Sequence, residues 1–585
     1  MSRKRLILAI LIILPLVVGG WFYTRRPKPV DISSYVPETA LGYLEINDWP
    51  RLVDSLTSTE AWRELAPAYG VPEELNYFGK IRWWDFVTRI TGGGEAALLA
   101  RSQFAIVVSG LEVRGEQVKP RMALIVETHS DADTLREVSE KRLTQLAETA
   151  FGRFVKQSDE YAGVQIETWR AHDSDKQLLA AWIEGELIVA NHSDPLRACI
   201  DTRLGRAPSM ANNFHLRNSR ALVEREDGEK AMYGFITGEG VTRLLRFWAF
   251  LISGDTLSKA ALAGAMGDVF TDFSSRATDG IAYGAGFEDG PNGLKVVDRY
   301  ALLVKPDLAD SLKAAVKPAA PNPEVPGALD LIPAEAKDVT LIGVENPMKA
   351  LDGIEAVIAS RAGAAQSFLL RQFVIGAREA FLGIKENDSA AGAIGDEIAN
   401  FNFTGAAEDR VWLIAQRNEA FMKTLIGRVF TARGAAILRE KYKEREIIRS
   451  SDQRRGAAVI VGDFLALGQR ERLMRLIDSQ QDGQGFRHSS RFSAANKISQ
   501  PAAVRSFTSV KEESGEMMAT IARWTTSAPK NPSPNDSALN LLPFALSATS
   551  INDRGVYVES HSPLGNFPFF VSLIDGSMKA RPEVK

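Results

Sequence analysis

"AAWIEGELIVANHSDPLRACID", Ala180 to Asp201, and "AAVIVGDFLALGQRERLMRLID", Ala457 to Asp478, align without a gap. The positions that agree are structural in type: Ala180/Ala457, Ile183/Ile460, Gly185/Gly462, Leu196/Leu473, Ile200/Ile477 and Asp201/Asp478. Each stretch reads as a hairpin arm, a tight turn at Gly-Glu or Gly-Asp, an apolar strand and then a helix. Pro195 suits a first helical turn, where its missing N–H costs nothing, and Ser193 or Asp194 is expected to cap the free N–H groups. Cys199, the only cysteine, follows His192 closely, which invites a nucleophile-and-base reading. In the second copy Gln469 and Leu476 stand in their places. A leucine there asks for apolar volume, so Cys199 is read as a buried hydrophobe and His192 as scaffold.

Other segments repeat in the same order. "YVPETALGYLEINDWPRLVDSL" from Tyr35 matches "LIPAEAKDVTLIGVENPMKALDGI" from Leu331, and "GGGEAALLA" from Gly92 matches "IGDEIANFN" from Ile394, pairing Glu95 with Glu397. "YAGVQIETW" from Tyr161 pairs weakly with "YKEREIIRS" from Tyr442, and the hairpin from Gly284 has a partner from Ala548. Between the copies, proline-dense residues 316–330 suit an extended spacer. Strands grouped as hairpins beside amphipathic helices indicate an α+β fold with antiparallel or mixed sheets. The expected arrangement is two tandem, internally duplicated α+β lobes, residues 34–315 and 331–576, with a tail at 577–585.

The start of the chain sets the expected location. Residues 1–5, "MSRKR", precede the apolar run 6–23, "LILAILIILPLVVGGWFY", and residues 24–33 form a basic linker. As a helix that run rises about 27 Å, close to a hydrocarbon core of about 30 Å. Arg3, Lys4 and Arg5 favour a cytoplasmic amino end, with Trp21 and Tyr23 at an interface. This predicts a single-pass inner-membrane anchor with the bulk of the chain periplasmic. A cleaved signal peptide is the competing reading.

Composition narrows the chemistry. Seventy basic and 73 acidic residues give a formal charge of -3, which excludes the dense positive surface that nucleic acid requires. One cysteine leaves no internal disulfide and no CxxC site. The six histidines form no HExxH, and no GxxxxGK[ST] or GxSxG motif occurs. No catalytic, cofactor or metal residues are therefore expected. The interaction candidates are Glu95 and Glu397, which alternatively serve as turn carboxylates bonding backbone N–H groups, and Trp83 and Trp84, a stacking or docking platform if exposed.

The "VPETALGYLEIND" opening, the "GGGEA" and "IGDEIA" turns, the "EGELIVAN" hairpin and the N-terminal run together resemble a group of bacterial membrane-anchored envelope proteins described only as a domain of unknown function. The resemblance implies a membrane-tethered envelope protein and supplies no catalytic residues; an envelope protein, glycan or lipid is the expected partner, beside the membrane itself. The expected function is a non-catalytic binding or scaffolding module. The alternatives are a membrane-tethered hydrolase of envelope material, using carboxylates that only the fold unites, and a lipid-handling protein, which requires a continuous apolar cavity.

Overall fold

The computed structural model describes residues 29–71, 102–114, 117–129, 132–224, 229–253, 274–290, 293–319, 327–345, 393–405, 409–431, 434–452, 455–481, 485–489, 492, 501–525 and 536–579. The first half contributes strands β1 (Gly42–Ile46), β2 (Gln103–Arg114), β3 (Gln117–Glu127), β4 (Phe154–Tyr161), β5 (Val164–Ala171), β6 (Gln177–Ile183), β7 (Glu186–Ala190), β8 (Glu229–Thr237), β9 (Thr278–Gly290) and β10 (Gly293–Val304). The second half contributes β11 (Asp338–Gly343), β12 (Ile394–Asn402), β13 (Val411–Gln416), β14 (Ile437–Tyr442), β15 (Arg445–Ser450), β16 (Ala457–Val461), β17 (Phe464–Gly468), β18 (Val504–Thr508), β19 (Ala545–Asn552) and β20 (Gly555–Ser562).

All of these strands join one 20-stranded sheet. Its pairings run β4-β5-β6-β7-β3-β2-β1-β8-β9-β10 through the first half. They continue β20-β19-β18-β11-β12-β13-β17-β16-β15-β14 through the second. Read from either end, the order is the same once each strand is replaced by its counterpart ten places along. The centre of this pattern is the pairing of β10 with β20, from Val296↔Ser562 to Leu303↔Gly555. Arg299 faces Glu559 there, and both are buried.

Alternation along the strands sorts side chains to two faces. Tyr43, Val107, Ile188 and Phe235 meet Leu196, Cys199 and Ile200 of the helix Ser193–Arg203 in one front-face core. Val339, Val459 and Phe507 meet Leu473, Leu476 and Ile477 of the helix Arg470–Gln481 in its counterpart. On the back face, the helix Ala132–Phe151 covers Trp169, Ala180 and Leu187. The helix Glu419–Thr431 likewise covers Ile448, Ala458 and Leu465. Nearer the centre, Leu52 and Phe567 pack on Met232, Phe287 and Val296.

The fold corrects several expectations. The halves are not two lobes with sheets of their own, because β10 and β20 carry one sheet across the junction. Among the described residues every pairing between strands is antiparallel, so the sheet they form is antiparallel and not mixed. The spacer is also bound to the second half: Val316 bridges Val344, and the Ala319 N–H donates to the Ala502 carbonyl at 2.6 Å. Residues 6–23 lie outside the described residues, and among those described no helix is long and apolar enough to cross a membrane. The helix Ala132–Phe151 has 20 residues but an exposed charged face, while the apolar Gly238–Ser253 has 16 and carries Arg243 and Arg246. The transmembrane anchor, and the inner-membrane and periplasmic placement built on it, are set aside.

The opening alignment needs a gap. Ala180 pairs with Val189 and Ala181 with Ile188, whereas Ala457 pairs with Gly468 and Ala458 with Leu467. Counting from the turns, Ala180 therefore corresponds to Ala458, and both sit under back-face helices. Leu196, Cys199 and Ile200 correspond to Leu473, Leu476 and Ile477 as aligned, so the second copy is one residue shorter between hairpin and helix. A one-residue slip inverts every side chain of a strand, which makes this shift consequential.

Candidate functional site

An open cleft of about 400 Å³ lies on the back face of the first half. Its floor comes from the residues of β2, β1 and β8 that alternate away from the front core: Ile106 and Val108, Gly42 and Leu44, Gly234 and Ile236. Gly42 and Gly234 keep the floor low. A Cβ on Gly42 would come within 2.9 Å of the Phe235 carbonyl, and one on Gly234 within 3.1 Å of Leu44. One wall is Leu244 of the helix Gly238–Ser253, whose first turn sits close because Gly240 has no Cβ to strike the Leu41 carbonyl, 2.1 Å from where one would lie. Phe570 and Tyr283 form another part of the lining, the Tyr283 hydroxyl being spent on Asp298 at 2.7 Å. Ile106 remains 38% exposed on the floor, and Leu245 of the same helix and Trp49 are exposed as well.

A second-half cleft lies between the start of β11, the end of β18 and the following helix Lys511–Thr525, and of the positions that match the first cleft's floor it includes Asp338 and Thr508. It measures about 870 Å³ and is lined by Lys337, Asp338, Thr508, Lys511, Glu512 and Glu516 among others. Register makes the comparison residue by residue. Leu44, between Ile106 and Gly234, corresponds to Thr340, between Asn400 and Ser506. Gly42, Val108 and Ile236 correspond to Asp338, Asn402 and Thr508. The polar set satisfies itself: Thr340 and Ser506 share a 3.2 Å hydrogen bond, Asn402 Nδ2 donates to Asp338 at 2.9 Å, and Lys337 donates to Glu512 at 2.6 Å.

The residues singled out in the sequence fall elsewhere. Trp83, Trp84 and Glu95 lie outside the described residues. Glu397, on β12, is half-buried, its carboxyl raised above the usual range chiefly by burial. Its Oε1 accepts from the Ala328 N–H at 3.1 Å, so it fixes the segment leading to β11. Its register counterpart is Gln103, not Glu95, because Ala105 and Ala399 face Glu45 and Leu341 respectively. Gln103 does similar work: Oε1 accepts from the Val30 N–H and Nε2 donates to the Val30 carbonyl, each at 2.9 Å.

His192 and Cys199 have separate duties. The imidazole Nδ1 accepts from the Asp194 N–H at 3.2 Å, making His192 the N-cap in place of the expected Ser193 or Asp194. Cys199 is fully buried, and burial pushes its thiol well above the ordinary value, the opposite of an activated nucleophile. Tyr161 and Tyr442 each donate a hydroxyl to the matched aspartate, Asp201 at 2.8 Å and Asp478 at 2.9 Å, pinning a hairpin to its helix in both halves.

Searches of protein families, curated proteins and solved structures return no match to this chain. The resemblance to the envelope group is neither supported nor opposed by them.

The fold also assembles ionisable groups that were invisible in the sequence. Glu45 receives Arg220 on both carboxylate oxygens at 2.8 Å, and Glu186 receives Arg203 at 2.7 Å. Burial outweighs these partners and raises Glu45 to about 7 and Glu186 to about 8. Neither carboxylate lines either cleft, which places them as structural pairs inside the fold. Arg220 comes to Glu45 from 175 residues away and Arg203 to Glu186 from 17, and at the matching places of the second half Leu341 and Phe464 replace the two glutamates, so the repeat does not announce them.

Proposed function

We propose that this chain is a non-catalytic binding protein that holds the aliphatic part of a small ligand in the first-half cleft. The observation that carries the reading is the contrast between the cleft floor and the residues at the matching register positions of the second half. A fold that accepts Thr340, Asn400 and Ser506 does not require Leu44, Ile106 and Gly234 at the same positions. An apolar floor left open to water costs solubility and supplies no packing, so its retention is accounted for by what it binds. The cleft offers apolar burial and almost no free polar group, which suits binding by exclusion of water and gives no handle for bond chemistry.

The test transplants the second half's residues. Wild type should bind cis-parinaric acid, a fluorescent fatty acid, saturably and at one site. The variant Leu44→Thr/Ile106→Asn/Gly234→Ser should lose about 100 Å² of apolar contact, about 2.5 kcal/mol, or some seventyfold in affinity. Its circular dichroism should match wild type. Equal binding by the variant and wild type would overturn the proposal.

A further inference from the structure

The sheet is open, and among the described residues its two ends are β4 and β14, each paired on one side only. An unpaired edge carries a row of free N–H and C=O groups able to pair with another chain, and charges on it decide which pairings are tolerated. The geometry points to β4 as the contact of a two-fold dimer, in which it pairs antiparallel with β4 of a second copy.

The argument is one of charge and register. β4 reads Phe-Val-Lys-Gln-Ser-Asp-Glu-Tyr from Phe154 to Tyr161, and its inner residues are all exposed, Val155 at 47%. When a strand pairs antiparallel with its own copy, facing residues must be alike in the direction of their backbone groups. The axis then passes through a residue, not between two. With the axis at Ser158, Lys156 faces Glu160 of the second copy, the same pair recurs on the other side, and Val155 faces Tyr161. Shifting the axis to Gln157 sets Lys156 against Ser158 and Val155 against Asp159. Shifting it to Asp159 sets that carboxylate against itself. Only the Ser158 register opposes unlike charges, so the charges that block other pairings select this one.

β14 has no such solution. Its sequence Ile-Leu-Arg-Glu-Lys-Tyr, Ile437 to Tyr442, brings Arg439 against Lys441, or one of its charged residues against itself, in every central register. One self-complementary end and one self-repelling end give a closed pair of chains and not a fibre.

Sedimentation equilibrium on the full chain tests this. Wild type should be a dimer whose dissociation constant rises with salt. Glu160→Lys, which leaves the Lys156 bridges to Glu140 and Glu167 intact, should weaken the dimer at least about tenfold, since two attractive pairs become repulsive. Lys156→Glu should do the same, and Lys156→Glu/Glu160→Lys should restore the dimer. Arg439→Glu, at the other edge, should leave it unchanged. A monomer at all concentrations, a dimer indifferent to Glu160→Lys, failure of the double variant to recover, or open polymers abolished by Arg439→Glu would each overturn the assignment.

Discussion

Replacing Arg299 with methionine should cost about 3–5 kcal/mol, the range for leaving one member of a buried ion pair alone. Arg299 Nε lies 2.9 Å from Glu559 Oε2, and the two side chains are 7% and 8% exposed. A second guanidinium nitrogen reaches Glu288 at 2.7 Å, and His561 Nε2 lies 2.9 Å from the other Glu559 oxygen. The hydrogen bond from His561 and then the Arg299 guanidinium hold the Glu559 carboxyl down near 2 despite burial, so without the guanidinium the carboxylate is left in the junction with His561 and the Tyr557 hydroxyl, 3.3 Å away. Arg299→Met/Glu559→Leu should recover most of the loss, because two apolar side chains of similar size fill the same place. The assay is urea unfolding followed by tryptophan fluorescence, read as a double-mutant cycle. The single variant should also separate one transition into two, since this contact joins the halves. A single-variant cost below about 1 kcal/mol, or a double variant as unstable as the sum of its parts, would refute the reasoning.

Further outcomes are expected from the same structure. Cys199 should resist a thiol reagent in the native protein and react once urea unfolds it, and Cys199→Ser should cost about 1–3 kcal/mol by burying an unpartnered hydroxyl. Tyr161→Phe and Tyr442→Phe should each lower the urea midpoint slightly, and the two effects should add, since they act in separate halves. Stability should fall as pH rises: Glu186 is raised to about 8 from an ordinary 4.5, so the folded state holds its proton more tightly than the unfolded. That advantage is full below about pH 4.5 and is lost by about pH 8, on the order of a few kcal/mol, and Glu186→Gln should flatten the decline in urea midpoints between pH 5 and 8.5. Glu184→Gly should stabilise by up to about 1 kcal/mol, because Glu184 takes φ 51 where its turn counterpart Gly462 takes φ 55 at no steric cost.

Local structure was largely legible in the residues. Hairpins, turns and the helix after Pro195 follow from alternation, glycine and capping chemistry, and the match of Leu476 to Cys199 correctly marked a core position. What failed was register. Alanine and glycine matches at Ala180 and Ala457 carry little shape, so the alignment slid by one where only cross-strand partners decide the face. A shared glycine-acid pattern pairs Glu397 with Glu95, whereas sheet pairing assigns Gln103, an amide that shares no charge with it. The cleft leaves no local signal for another reason. Its floor residues look like ordinary strand interior, and only the polar set at the same places in the other half makes them unusual. The junction was beyond local reading, because Arg299 and Glu559 are brought together across 260 residues.

The place of β20 at the middle of the sheet has a consequence for a chain emerging from the ribosome. β10 is finished at Val304, but its partner begins only at Gly555, about 250 residues later. At roughly 5–20 residues per second that interval is about 10–50 s. Throughout it, the strand "GLKVVDRYALLV" presents a long, largely apolar border with nothing beside it. Synthesis of the second half is therefore a race between the correct late arrival and capture by another nascent chain. Slowing translation between the two strands should lower the yield of native protein, and a holdase that shields extended apolar segments should restore it.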